Sequence, residues 1–206
     1  MNLYSTIAGD LESTARTGRI YGVVVGIVTN NDDQEGQGRV KVKYPWLTAK
    51  EESPWARVAT PFGGSGRGMF FLPEVDDEVL VVFEQGDITR PYVLGALWGG
   101  TDLPPTAAGN GRDKKVLQSK SGHIIRLDDT SGKEKIEIIG KGGKETIVID
   151  TANNTITLTS GQDLVLNAPK GKVSIKAKEV EVISTGASTY QAKGEMTVKG
   201  STVNIN

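Results

Sequence analysis

The sequence predicts an all-β chain in two parts, an N-terminal barrel of the OB type followed by a C-terminal intertwined trimeric β-helix, or β-prism. Three observations carry this expectation. From His123 to Asn206 short apolar-alternating segments follow one another with no helical pattern between them. Residues 1–117 hold all three Trp and all four Phe, whereas Tyr190 is the only aromatic residue of 118–206. Between residues 19 and 100, β-branched runs alternate with glycine- and proline-bearing turns. The expected boundaries are an arm over 1–18, the barrel over 19–100, a linker over 101–122 and the β-helix over 123–206.

Taken in order, the arm is polar with a helical cast, and strand signals begin at Tyr21. Tyr21–Val28 is β-branched and ends in the turn cluster Thr29-Asn30-Asn31-Asp32-Asp33. Gly38–Tyr44 alternates, with Val40, Val42 and Tyr44 on one face and Arg39, Lys41 and Lys43 on the other, until Pro45-Trp46 stops it. Trp55–Ala59 reads as a third strand, Gly63–Gly68 as a flexible loop, Met69–Leu72 as a short fourth strand and Glu78–Glu84 as a long fifth, before Arg90–Trp98 closes the set. Glycines at 22, 26 and 95 suit the coiling that barrel closure requires.

Beyond the linker the apolar pairs are Ile125/Leu127, Ile136/Ile138, Ile147/Ile149, Ile156/Leu158, Leu164/Leu166, Val173/Ile175, Val180/Val182, the weaker Tyr190/Ala192, Met196/Val198 and Val203/Ile205. Turn chemistry separates them, as in Ser160–Asp163, Ala168–Gly171 and Ser184–Ser188. Each short strand offers about two side chains to one face, because alternate residues point to opposite sides. Two apolar residues per rung cannot offset a backbone ordering cost of roughly 1–2 kcal/mol per residue in one chain. The stripe therefore needs a partner of the same period, and three chains about one axis close it without leaving a long open edge. A single-chain meander is the alternative. The expected trimer core is Ile138, Ile149, Leu158, Leu166, Ile175, Val182, Val198 and Ile205. Ten strands at ~4.7 Å per step would extend about 45–50 Å.

Composition excludes several functions. Residues 1–117 carry 12 Lys+Arg against 15 Asp+Glu and 118–206 carry 12 against 10, so neither part is a general polyanion binder. With no cysteine, thiolate catalysis, thiolate metal sites and disulfide staples are all absent. The N-terminus lacks the basic and apolar regions of a signal peptide, so synthesis and folding in the cytoplasm are expected. Glu74-x-Asp76-Asp77-Glu78 reads as a solvated turn and not as a hydrolytic carboxylate pair. The Gly63–Gly68 loop lacks the G-x-x-x-x-G-K-[ST] pattern of a phosphate cradle. His123, the only histidine, has no second imidazole or thiolate with which to hold a metal. Aromatic residues Trp46, Trp55, Phe62, Phe70 and Phe71 beside Arg39, Lys41, Lys43, Arg57 and Arg67 suggest a single-stranded nucleic-acid groove, but Asp32, Asp33, Glu35, Glu51 and Glu52 cancel the charge. No catalytic residue, cofactor, metal or nucleic-acid partner is expected.

Four consecutive motifs, Gly38–Trp46, Trp55–Ala59, Gly68–Val79 and Gly86–Gly95, resemble the baseplate assembly protein V and VgrG spike family of contractile phage tails, type VI secretion and phage-like extracellular injection systems. The resemblance implies an OB domain followed by a trimeric β-helical needle, to which the periodic tail leads independently. It implies a non-enzymatic central spike, assembled into a tail baseplate or injection-particle tip, with a hub protein at the OB end and transient contact with a target envelope. Relatives carry a large hub region before the OB domain, whereas only about 18 residues precede it here. Some short spikes end in a His-x-His metal apex, which this sequence lacks. The expected tip, Val203, Asn204, Ile205 and Asn206, is therefore blunt or covered by a cap of the PAAR-repeat type.

Overall fold

A computed structural model describes residues 18–47, 52–100, 102–106 and 111–205. The arm apart from Gly18, part of the linker and Asn206 lie outside the described residues. By compactness the chain divides into two units, Met1–Thr159 and Ser160–Asn206.

In the first unit a closed barrel is formed by β1 (Val24–Asn30), β2 (Arg39–Lys43), β3 (Ala56–Val58), β6 (Glu78–Phe83) and β7 (Pro91–Ala96), in the order β1-β2-β3-β7-β6. All its pairings are antiparallel except β3 with β7, and β1 pairs with β6 to close the ring. Between β3 and β6, β4 (Gly63–Gly64) and β5 (Arg67–Gly68) make a small hairpin. A 3₁₀ turn over Glu84–Gly86 links β6 to β7.

The period-2 pattern places alternate residues inside, so the core is Val28, Val40, Val42, Tyr44, Ala56, Val79, Val81, Phe83 and Val93. Gly26 is required where β1 crosses this core, since a Cβ there would lie 3.2 Å from Val81 Cγ2 and 3.4 Å from Val42 Cβ. The barrel interior is narrow, and short β-branched side chains fill it.

Two expectations are corrected. Met69–Leu72 forms no strand. It is held instead at its start, where the Met69 N–H bonds to Phe62 O at 3.0 Å and Thr60 Oγ1 donates to Met69 O at 2.7 Å. The Phe70 ring then rests on Gly38, whose φ is +68° and whose place a Cβ would contest at 2.9 Å, so the segment follows that contact and not a sheet edge. The second correction concerns the linker, which contains β8 (Lys114–Gln118). The strand series thus starts before His123.

β8 opens a five-stranded antiparallel meander completed by β9 (Ile124–Asp128), β10 (Lys135–Ile139), β11 (Thr146–Asp150) and β12 (Thr155–Thr159), in spatial order β12-β11-β10-β9-β8. This single-chain meander is the alternative raised above for the repeat, and residues 114–159 adopt it. In the second unit, no strand forms among the described residues 160–205, and 161–205 are exposed throughout.

Candidate interaction surfaces

Register fixes which side chains share a face of the meander. One row aligns Leu117, Ile125, Ile138, Ile147 and Leu158, and a second aligns Leu127, Ile136, Ile149 and Ile156, with Lys115 at its β8 end. The two rows lie two residues apart along each strand and so occupy the same face. These nine apolar side chains remain 37–72% exposed in the protomer. Among the expected core residues, Ile138, Ile149 and Leu158 are thus brought onto one surface.

The opposite face is mixed, with its charges paired among themselves. Its central row is Val116, Arg126, Glu137, Val148 and Thr157, one outer row is Lys114, Asp128, Lys135, Asp150 and Thr155, and the other is Gln118, Ile124, Ile139, Thr146 and Thr159. Arg126 Nη2 and Lys135 Nζ reach Glu137 at 2.6 and 3.0 Å, and Lys114 Nζ lies 3.6 Å from Asp128. Burial acts to raise the Glu137 carboxyl, but hydrogen bonds from Arg126 and Lys135 outweigh it and hold the group below its ordinary range. Asp128 is lowered chiefly by the Thr130 hydroxyl, and Asp150 by the Asn153 side chain. This ladder was not foreseen from sequence, although Arg126, Glu137 and Lys135 sit at the alternate positions that leave the apolar stripe.

The remaining expected core residues, Leu166, Ile175, Val182, Val198 and Ile205, lie in the second unit and are 66–91% exposed. Local turns are present there, as where Gly171 N–H bonds to Ala168 O at 3.2 Å. Of the expected tip, Val203, Asn204 and Ile205 are exposed and Asn206 lies outside the described residues.

On the barrel, two of the three cations of β2, Arg39 and Lys41, are already engaged. Arg39 makes a two-pronged contact with Asp33, Nε to Oδ2 at 2.9 Å and Nη2 to Oδ1 at 2.7 Å, and also meets Glu35 at 3.1 Å. The Arg39 hydrogen bond holds the Asp33 carboxyl far below the carboxylate range. Lys41 pairs with Glu52 at 3.3 Å, and both cations flank the Trp55 ring. Arg57 stacks on Tyr92 and bonds its hydroxyl, which in turn donates to Glu84 at 3.2 Å. Phe62, Phe70 and Phe71 are exposed. With Arg67 and Met69 they line a cleft of about 370 Å³.

The acidic run is a turn. Asp77 Oδ2 accepts the Glu74 N–H at 2.8 Å, Asp76 adopts φ +75°, Glu78 begins β6, and Glu74 meets Lys120 at 3.0 Å. The Gly63–Gly68 segment is the β4–β5 hairpin, with no helix after it to receive a phosphate. The imidazole of His123 accepts the Lys141 N–H at Nδ1, 3.2 Å away, and its backbone N–H bonds Ser119 Oγ at 3.0 Å, tying two turns of the meander together. Among the described residues no group of three or more acidic or imidazole side chains converges as a metal site, and no helix is long and apolar enough to cross a membrane.

The barrel coincides with a known domain: residues 24–98 match the family described as the type VI secretion system/phage-baseplate injector OB domain. The chain is 24% identical over its whole length to a protein named actin cross-linking toxin VgrG1 of Vibrio cholerae, of which it covers 19%. It is 33% identical over 48% of its length to the type VI secretion system spike protein VgrG3 of Vibrio cholerae, covering 11% of that protein. It is 28% identical over 65% of its length to the spike protein VgrG1a of Pseudomonas aeruginosa, covering 23%. The chain thus spans less than a quarter of the length of these relatives. The closed five-stranded barrel lies within the span that matches the injector OB domain, and over longer stretches the chain is similar to VgrG spike proteins.

Proposed function

We propose that the chain is the structural central spike of a contractile injection apparatus and works as a homotrimer. One observation carries the reading: the meander presents a continuous, exposed apolar face while the charges on its other face pair among themselves, and the apolar pairs continue through 160–205 without intrachain strands. An extended, exposed segment of that kind does not repay its ordering entropy alone. Packing against two further copies would bury Leu166, Ile175, Val182, Val198 and Ile205 as well as Ile138, Ile149 and Leu158, and would pair the open strand edges.

The function that follows is mechanical. The barrel end, with its exposed Phe62, Phe70 and Phe71, would dock a hub protein. The β-helix over 123–206 would carry the thrust of contraction onto a small area of target envelope, resisting buckling because many interchain hydrogen bonds must break together. The last rung, Val203, Asn204, Ile205 and Asn206, would take a PAAR-like cap. No catalytic step, cofactor or nucleic-acid partner belongs to this reading, and the engagement of Arg39 by Asp33 and of Lys41 by Glu52 takes up two of the three cations of β2. Labelling this protein in negatively stained particles from the producing cell tests the proposal. The label should sit at the pointed end of a contractile particle, and label on the sheath, or on no particle, would refute it.

A further inference from the structure

The β4–β5 hairpin forms part of the wall of the cleft that Phe62, Phe70 and Phe71 border. Its sequence, Gly63-Gly64-Ser65-Gly66-Arg67-Gly68, carries a single side chain larger than serine. The backbone requires this composition at two places. Gly66 turns at φ +66°, and at Gly68, φ +150°, a Cβ would lie 3.0 Å from Phe62 O and 3.1 Å from Gly63 Cα. Gly64 pairs directly with Arg67 across the hairpin, and a Cβ on Gly64 would lie 3.0 Å from Arg67 Cζ and Nη2. The guanidinium thus rests against bare backbone that any other residue at 64 would occupy, on the wall of the cleft.

Arg67 is also the only charged residue lining that cleft, and no carboxylate lines it. Elsewhere on the barrel Arg39, Lys41 and Arg90 each reach a carboxylate. Arg67 makes no such ion pair among the described residues. Beside this uncompensated cation stand Phe62, Phe70 and Phe71, each more than half exposed. The surface therefore combines a two-pronged anion-binding group with adjoining apolar area that remains in water.

The charge selects an anion, since the guanidinium fork matches the two oxygens of a carboxylate or a phosphate. The surroundings choose between them. A nucleic-acid strand is held by a track of cations beside its stacked bases, whereas this cleft has one cation, and Arg39 and Lys41 of β2 are committed to Asp33 and Glu52. A small carboxylate would leave the three rings in water. A peptide satisfies both features at once, and aromatic rings with an arginine are the residue types that anchor protein interfaces.

We infer that this cleft binds an acidic, apolar peptide segment of a partner protein, with an Asp or Glu carboxylate on Arg67 and the neighbouring apolar side chains against Phe62 and Phe71. The inference deepens the hub-docking role proposed for the same surface and rests on it only for which protein supplies the segment.

Selection of random twelve-residue peptides displayed on phage against the immobilised full chain tests the chemistry. The enriched peptides should share an Asp or Glu flanked by apolar residues. By fluorescence polarisation, a labelled synthetic copy of the leading peptide should bind Arg67→Gln roughly tenfold or more weakly, the worth of a hydrogen bond to a charged group. Arg67→Lys, which keeps the charge and loses the fork, should fall between, and each variant should keep its β-sheet circular dichroism. Reselection against Arg67→Glu should turn the consensus from acidic to basic. No enrichment, a consensus without an acid, equal binding by Arg67→Gln, or Arg67-dependent binding of labelled oligo-dT in place of peptide would overturn the inference. These outcomes concern the cleft alone, so they are distinguishable from a failure of the spike reading, which shows in where the label sits on the particle.

Discussion

Replacing Ile138 with Asp separates a trimer from a self-sufficient protomer. Ile138 sits mid-strand on the apolar face between Ile125 and Ile147 and is 47% exposed in one chain. If the protomer stood alone, the carboxylate would remain in water and the cost would be a fraction of a side chain's burial. Full burial of such a side chain is worth about 1.5–3 kcal/mol, so the half still exposed represents roughly 1 kcal/mol per chain in the assembly, or about 3 kcal/mol per trimer. To this the buried, unpaired carboxylates add at least several kcal/mol per chain. A loss of this size exceeds what a trimer of ordinary stability can absorb. Thr157→Asp, on the opposite face in the row of Arg126 and Glu137, is the matched control. Size-exclusion chromatography and denaturant melts at low micromolar concentration should show the Ile138→Asp protein losing the trimer peak and the Thr157→Asp protein keeping it. Equal trimer yield and equal midpoints for the two variants would refute the reasoning.

Gly26→Val should destabilise the barrel by about 1–3 kcal/mol, because the site already lies 3.2 Å from Val81 Cγ2 at its Cβ; an unchanged denaturant midpoint would contradict the packing described. Acid should destabilise the first unit: Asp33, Asp128 and Glu137 are all held below their ordinary values, so the stability they contribute is present above about pH 4–5 and is lost as pH falls through their folded-state values. A melting temperature independent of pH between 5 and 3 would count against these pairs. Removing residues 199–206 should abolish binding of a cap protein in pull-downs and leave hub binding intact, and a cap retained after truncation would reverse the assigned polarity.

The barrel was legible because its signals are local. Val40-x-Val42-x-Tyr44 alternates cleanly with basic residues, Val79–Phe83 is a continuous apolar run of strand length, and Val40, Val42, Tyr44, Val79, Val81 and Phe83 are all in the core. Met69–Leu72 misled because an apolar run carries no record of whether a sheet edge is free to receive it. Its place is decided by Phe70 meeting Gly38, a contact between segments distant in sequence. The repeat was legible in its faces and less so in its partners. From Leu127 to Ile138, Ile149 and Leu158 the steps are 11, 11 and 9 residues, and the chain pairs with itself throughout. From Leu158 to Leu166, Ile175 and Val182 the steps are 8, 9 and 7, close to the step of 9 that still pairs β11 with β12, so the spacing alone does not mark where intrachain strands cease at Thr159. Among the surface residues, the charges of β2 could be counted but their pairing could not, because Arg39 meets Asp33 only once the connection between β1 and β2 folds back.

Association through the apolar face is tested most directly by the mass of the purified chain in solution. Light scattering at low micromolar concentration should give three times the chain mass of 22.0 kDa, with no folded monomer on dilution. A species of 22.0 kDa that keeps its β-sheet signal would contradict it.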